Sequence, residues 1–156
     1  MGLSGGMTVT IAIESPLTDD AADLIVGSEA ALRAVYTEDE CFTFTADELA
    51  RPGISFFVAR TDGVPLGCVA LCAYDDYAEI KRLYVDPKGR GQGVARALIA
   101  HLEQVARQSG LSAVKLETGD KLSAAVKLYS DLGYHHCGPF GEYKEHPASL
   151  FMTKNI

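Results

Sequence analysis

The sequence predicts a single α/β domain on a mixed sheet (α+β type), with elements in the order β-α-α-β-β-β-α-β-α-β-β. Three observations carry that expectation. Two β-rich runs, SFFVART and VPLGCVALCAY, flank Asp62-Gly63, a two-residue hairpin signal that opens an antiparallel stretch. Apolar residues then recur at helical spacing through Val94, Leu98, Leu102, Val105 and Ala106. A further strand run, AVKLET (113–118), follows that helix. A helix between two strands makes them parallel neighbours joined by a right-handed crossover.

The elements follow in order. TVTIAIE (8–14) alternates β-branched and small residues as a first strand would. Asp19 or Asp20 caps a helix through AADLIVGSEAALRAVY, where Leu24, Ala31, Leu32 and Val35 recur at helical spacing. Thr45-Ala-Asp-Glu48 is a capping-box pattern, and its short helix stops before Pro52-Gly53. After the hairpin, a turn at Asp75-Asp76 leads into a third antiparallel strand, YAEIKRLYV (77–85). The longest helix covers about residues 91–109 and ends at Gly110. Ser123 caps AAVKLYSDLG, and Gly133 is its C-terminal glycine. On that helix Ala125, Leu128 and Leu132 form the core stripe, and Tyr129 points about 100° away from Leu128, toward a cleft. YHHCGPF and ASLFMTK close the sheet, joined by the loop GEYKEHP.

At 156 residues the chain fits one domain with a sizeable core. Residues 1–6, MGLSGG, read as a flexible leader or expression remnant, and residues 7–156 as the domain. No apolar run approaches the roughly 20 residues that span a bilayer, so a cytoplasmic protein without membrane contact is expected. Cys41, Cys68, Cys72 and Cys137 form no CxxC pair, and His135-His136-Cys137 lacks a second ligand cluster, so no metal is expected. The net charge of −7 argues against nucleic acid as a partner. Yet between Glu79 and Arg96 five basic residues face two acids. An acidic chain with one basic island around a glycine-rich turn suggests a small anionic ligand.

That turn is DPKGRGQGVAR (86–96), set between a strand and a helix. Helix-opening N–H groups lack partners and carry partial positive charge, and glycine lets an anion approach them. A Walker loop needs GxxxxGK[ST], which is absent. The dinucleotide fingerprint starting at Gly91-Gln92-Gly93 fails at Arg96 and follows the fourth strand instead of the first. Arg90-Gly91-Gln92-Gly93-Val94-Ala95 instead resembles the [QR]xxGx[GA] signature of the GNAT superfamily of acyl-CoA-dependent N-acetyltransferases. EIKRLYVDPKGRGQG looks like that family's fourth strand and pyrophosphate loop, and SAAVKLYSDLGYHHCG like its later motif. The resemblance covers about residues 8–154; Ser123 stands where the later motif often has Asn.

The resemblance implies acetyl-CoA as acyl donor and an amine of a small molecule, peptide or lysine as acceptor. Its pyrophosphate would rest on the N–H groups of Arg90, Gly91, Gln92, Gly93, Val94 and Ala95, with charge from Arg90 and Arg96. Leu83, Tyr84 and Val85 would pair with the pantetheine arm, and Ser123 would be a further cofactor contact. Tyr129 takes the place of the acid for the CoA thiolate, and Glu79 that of a base acting through water. Glu117, Phe140 and Tyr143 are candidate acceptor contacts. Dimers are common in the family, so a homodimer is open. The alternative is a non-catalytic acyl-CoA-binding domain that acts through a partner; a third reading is transfer to a hydroxyl or of a longer acyl chain.

Overall fold

The computed structural model describes residues 8–41 and 43–156, so the proposed leader, residues 1–6, and its boundary lie outside the described residues. β1 (Thr10–Ile13) leads into α1 (Asp19–Arg33), a 3₁₀ turn at Glu38–Glu40 and the short α2 (Ala46–Leu49). β2 (Ile54–Thr61), β3 (Val64–Ala73) and β4 (Tyr77–Val85) follow, then a 3₁₀ turn at Pro87–Gly89 and α3 (Val94–Gln108). β5 (Ala113–Gly119), α4 (Ser123–Asp131), β6 (His135–Cys137) and β7 (Ser149–Asn155) complete the chain. The element order is the expected one. The seven strands form one sheet in the order β1-β2-β3-β4-β5-β7-β6. Only β4 and β5 pair in parallel. Among the described residues no helix is long and apolar enough to cross a membrane.

Local chemistry explains the turns. Asp62 and Gly63 both hold positive φ (51° and 80°), as a two-residue hairpin joining right-twisted strands requires. Thr45 and Glu48 form the reciprocal capping box of α2. Two caps differ from expectation. Thr18, ahead of the aspartates, accepts the Ala21 N–H and caps α1, leaving Asp19 and Asp20 to favour the helix dipole. Ser123 is the first residue inside α4 and Leu122 occupies the cap, so that terminus has no side-chain cap.

The sheet is covered on both sides. Phe57, Ala59, Val69, Leu71, Ala78 and Ile80 pack under α3 through Val94, Leu98, Ile99, Leu102 and Ala106. On the other side Phe56, Val58, Cys68 and Ala70 pack against Ala21, Leu24 and Ile25 of α1 and Leu49 of α2. Adjacent β2 residues thus serve opposite layers, the period of a strand buried on both faces. The α1 stripe is rotated from the expected one: Ala31 and Val35 are exposed, and Ser28 is buried. In α4, Ala125, Leu128 and Leu132 are only partly buried, while Tyr129 is the buried residue. A nine-residue helix at the rim meets the core along one line, and that line runs through Tyr129.

Beneath α3, Glu103 is 6 % exposed and accepts from Tyr134 Oη (2.8 Å) and Lys154 Nζ (3.0 Å), tying the helix to β7 and to the chain entering β6. Replacing it with alanine leaves a buried phenol and an ammonium without their acceptor. Glu103→Ala should lower unfolding free energy by about 2–4 kcal/mol, and Tyr134→Phe by about 1 kcal/mol, in urea titrations.

Candidate active site

β4 and β5 pair from Tyr77↔Ala113 to Ile80↔Leu116 and then separate. The cause lies within β4. Arg82 has φ +54°, and the β3 register shifts there, so that two β4 residues oppose Val69. Beyond the bulge the strand follows β3 and leaves β5. The Asp86 N–H donates to Leu66 O, which fixes the alternation: Tyr84 faces β3, while Leu83 and Val85 turn their backbone groups to the open side. The expected strand-like edge therefore consists of Leu83 and Val85. Arg90 Nε already donates to Val85 O at 3.2 Å.

The glycine turn adjoins that edge. Gly91 and Gly93 hold φ +76° and +77°, and a Cβ on either would meet nothing within 4 Å. These glycines serve the backbone path and leave open space above it. Gly93 is the N-cap of α3 and offers no side-chain acceptor, in contrast with Thr18 and Thr45 on the earlier helices. The first N–H groups of α3 thus lack the side-chain partner that those helices have, as an anion site requires. A hollow of about 190 Å³ lies here, lined by Arg90, Gly91, Gly93, Ala95 and Arg96. The Gln92 side chain turns back to Lys88 O, and Arg96 lies 3.6 Å from Asp131.

A second cavity, about 250 Å³, occupies the gap between β4 and β5. Leu83, Tyr84, Ala125 and Tyr129 line it together with Ser28, Tyr36, Cys41 and Thr43. Tyr129 is 6 % exposed, and among the described residues its hydroxyl makes no hydrogen bond. Burial, with the nearby Glu117 charge, raises its pKa above the usual tyrosine value, so it is a protonated donor at neutral pH. Glu117 lines the same cavity and accepts from Ser149 Oγ at 2.7 Å. Burial raises its pKa above the usual carboxylate range, against the lowering effect of that bond.

Glu79 lies one layer back. It is 3 % exposed and does not line the cavity. Its carboxylate is 3.3 Å from Lys81 Nζ and accepts from Tyr143 Oη at 2.5 Å. Tyr143 also accepts from Lys81, whose ammonium sits over the Phe44 and Tyr143 rings. Phe140 packs edge-on against Tyr143, Phe151 and Tyr77. Phe140 and Tyr143 thus brace Glu79 and Lys81 from behind and do not line the cavity. Ser123 is exposed and also outside both cavities.

Of the expected residues, the structure gathers Leu83, Tyr84, Glu117 and Tyr129 at one cavity, and Val85 with the glycine turn at the other. Sequence reasoning counted Lys81 and Arg82 in the basic island and offered Lys81 as a partner of Glu79, but named neither as a lining residue and did not find the wall from α1 to Thr43. Two adjacent cations in YAEIKRLYV break the alternation of the strand, and that break is the signal of the bulge. Cys68 and Cys72 are buried, with their thiols pushed up to about 12 by burial, and are inert core residues. Among the described residues no group of three or more His, Cys, Asp or Glu is placed to hold a metal ion.

Comparison with known proteins agrees on one family. The family model described as Acetyltransferase (GNAT) family matches residues 22–134. The chain is 40% identical over 150 residues to an IAA acetyltransferase of Azospirillum brasilense, covering 95% of this chain and 98% of that one. It is 40% identical over 107 residues to human N-acetylaspartate synthetase, covering 67% of this chain and 35% of the relative. A crystal structure of a candidate acyl-CoA N-acyltransferase from Klebsiella pneumoniae superposes with a TM-score of 0.80 at 30% identity, covering 94% and 97% of the two chains.

If the glycine turn holds an anion, Gly91→Ala and Gly93→Ala should damage binding more than folding. Each introduces a left-handed alanine, at about 1–2 kcal/mol, into space the protein leaves open. Calorimetry should show the acetyl-CoA dissociation constant rising by about tenfold or more. An unchanged constant would remove the cradle assignment.

Proposed function

The chain belongs to the GNAT acetyltransferase family, and from that premise we propose direct transfer of acetyl from acetyl-CoA to the primary amine of a small molecule, with Tyr129 as the acid. The family activity is acetyl-CoA-dependent N-acetylation. In this reading the pyrophosphate lies on the N–H groups of residues 90–95, flanked by Arg90 and Arg96. The pantetheine arm runs along the backbone of Leu83 and Val85, where β4 has left β5. The acetyl group then reaches the cavity that Tyr129 and Glu117 line. A small acceptor suits its size, about 250 Å³. The name N-acetylaspartate synthetase, a relative over part of the chain, points to a small-molecule product of that enzyme.

The chemistry has three requirements. The attacking amine must be neutral, the thioester carbonyl must be reached in line, and the departing thiolate needs a proton. In the proposed sequence the amine lone pair forms the C–N bond, and the tetrahedral intermediate collapses with loss of the C–S bond. The Tyr129 hydroxyl gives its proton to sulfur, the general base takes the proton that the attacking nitrogen loses, and passage of that proton to the tyrosinate restores both groups. The observation that carries this is a tyrosine lining the cavity whose hydroxyl has no hydrogen-bond partner among the described residues.

For the base we assign Glu117 ahead of Glu79. Glu117 lines the cavity, and its raised pKa makes it a better proton acceptor than an ordinary carboxylate. Glu79 is committed to Lys81 and Tyr143 and acts by positioning them. A base works when ionised, so kcat should rise with pH through the raised pKa of Glu117, and this acidic limb should lie above the ordinary carboxylate range.

Steady-state thiol release tests these assignments. Tyr129→Phe should lower kcat by about a hundredfold, with acetyl-CoA affinity changed by less than about twofold. Glu117→Gln should remove the acidic limb, whereas Glu79→Gln should keep it. Loss of the limb in Glu79→Gln alone would return the base role to Glu79. A protein that binds acetyl-CoA but releases thiol with no amine would support the non-catalytic binding domain.

A further inference from the structure

Charge in the cavity between β4 and β5 is sorted by wall. Lys81 and Arg82 line it from β4, and Glu117 lines it from β5. Each cation belongs to an ion pair, Lys81 with Glu79 at 3.3 Å and Arg82 with Glu29 at 3.2 Å. In both pairs the cation lines the cavity and the carboxylate stands outside its lining. Glu40, also on the lining, has its carboxylate turned to the Thr37 N–H and hydroxyl. One wall is therefore positive and the facing wall carries a carboxylate.

Arg82 is built into this wall. Its side chain is 2 % exposed, and it donates through Nε to Phe44 O, through Nη1 to Ser28 Oγ and through Nη2 to Glu29. Ser28 and Arg82 both line the cavity. A guanidinium carries five N–H groups in a planar fork suited to a carboxylate. Three are engaged by these described partners, and two remain for a ligand. Thr43 adds a hydroxyl-bearing residue to the lining.

We infer that the acceptor is an α-amino acid, bound with its carboxylate on Arg82 and Ser28 and its amino group toward Glu117. The inference rests on the acetyl-transfer reading above and adds the class of acceptor to it. A zwitterion complements a cavity with a cationic wall facing an anionic one. A bare amine offers the Arg82 fork no carboxylate, and a site built around a polar partner discriminates strongly against analogues that lack it. A cavity of about 250 Å³, shared with the thioester end of the donor, also holds no more than a small acceptor.

The test uses the full chain, acetyl-CoA and a thiol-detecting assay. The twenty L-amino acids are compared with their carboxamides and their decarboxylated amines. At least one amino acid should be acetylated with kcat/KM about tenfold or more above both counterparts, mainly through KM. Arg82→Lys keeps the charge but loses the fork, and should bring that ratio toward one. Because Arg82 also braces β4, Ser28→Ala provides a second variant, which should raise KM for the amino acid in the same direction with a smaller change. Carboxamides or decarboxylated amines that equal or exceed the amino acids would overturn this inference and leave acetyl transfer standing. Thiol release with no amine at all would overturn both.

Discussion

Arg82 holds a left-handed backbone conformation in the middle of a strand, and most of the site follows from how that conformation is held. A non-glycine residue there costs about 1–2 kcal/mol, and the ladder also loses regular pairing at the bulge. The side chain offsets this locally: it bonds to α1 through Ser28 and Glu29 and to the segment before α2 through Phe44 O. Burial lowers the guanidinium pKa from its usual value, but the Glu29 charge opposes that shift, and arginine remains charged in any case. So the bulge and the helical layer above it are one unit. Past it β4 stays with β3, β5 stays with β7, and the gap opens between them.

The donor half of the site is defined by what the protein omits. Side chains cap α1 and α2, whereas α3 begins at a glycine with no side-chain acceptor. No side chain stands over Gly91 or Gly93, and β4 presents Leu83 and Val85 to no neighbouring strand. Each omission leaves backbone groups for which a packed interior would supply partners. In the proposed function a long donor with a phosphate end and an amide-bearing arm supplies partners for these groups and replaces Arg90 Nε at Val85 O.

Legibility in the sequence followed range of interaction. The hairpin at Asp62-Gly63, the capping box at Thr45 and the glycine turn could be read because each is decided within a few residues. The element order and the parallel step from β4 to β5 followed from helix and strand periods. The α1 cap slipped by one residue because Thr18 competes equally well with its aspartate neighbours for the same N–H groups. The orientation of α4 was harder: apolar spacing pointed inward through Leu128, but the helix sits at the rim, where its angle to the sheet decides which residue is buried. Glu79 and Glu117 looked alike as strand carboxylates. They differ because Lys81 and Tyr143, the latter from a loop 64 residues away, claim the first and only Ser149 claims the second.

That difference also explains why a chain of net charge −7 presents cations at this cavity. An ammonium as buried as that of Lys81 costs free energy unless pairing compensates it. Glu79 behind it, with the Phe44 and Tyr143 rings around the ammonium, supplies that compensation without occupying the cavity. Glu29 does the same for Arg82. The carboxylates thus stabilise the cations from outside the cavity lining. Glu117 faces them across the gap without an arginine or lysine ion-pair partner among the described residues, and burial moves it toward the protonated form. The opening of the sheet therefore puts Lys81 and Arg82 on the β4 side of the cavity and Glu117 on the β5 side, the separation of charge on which the proposed acceptor class rests.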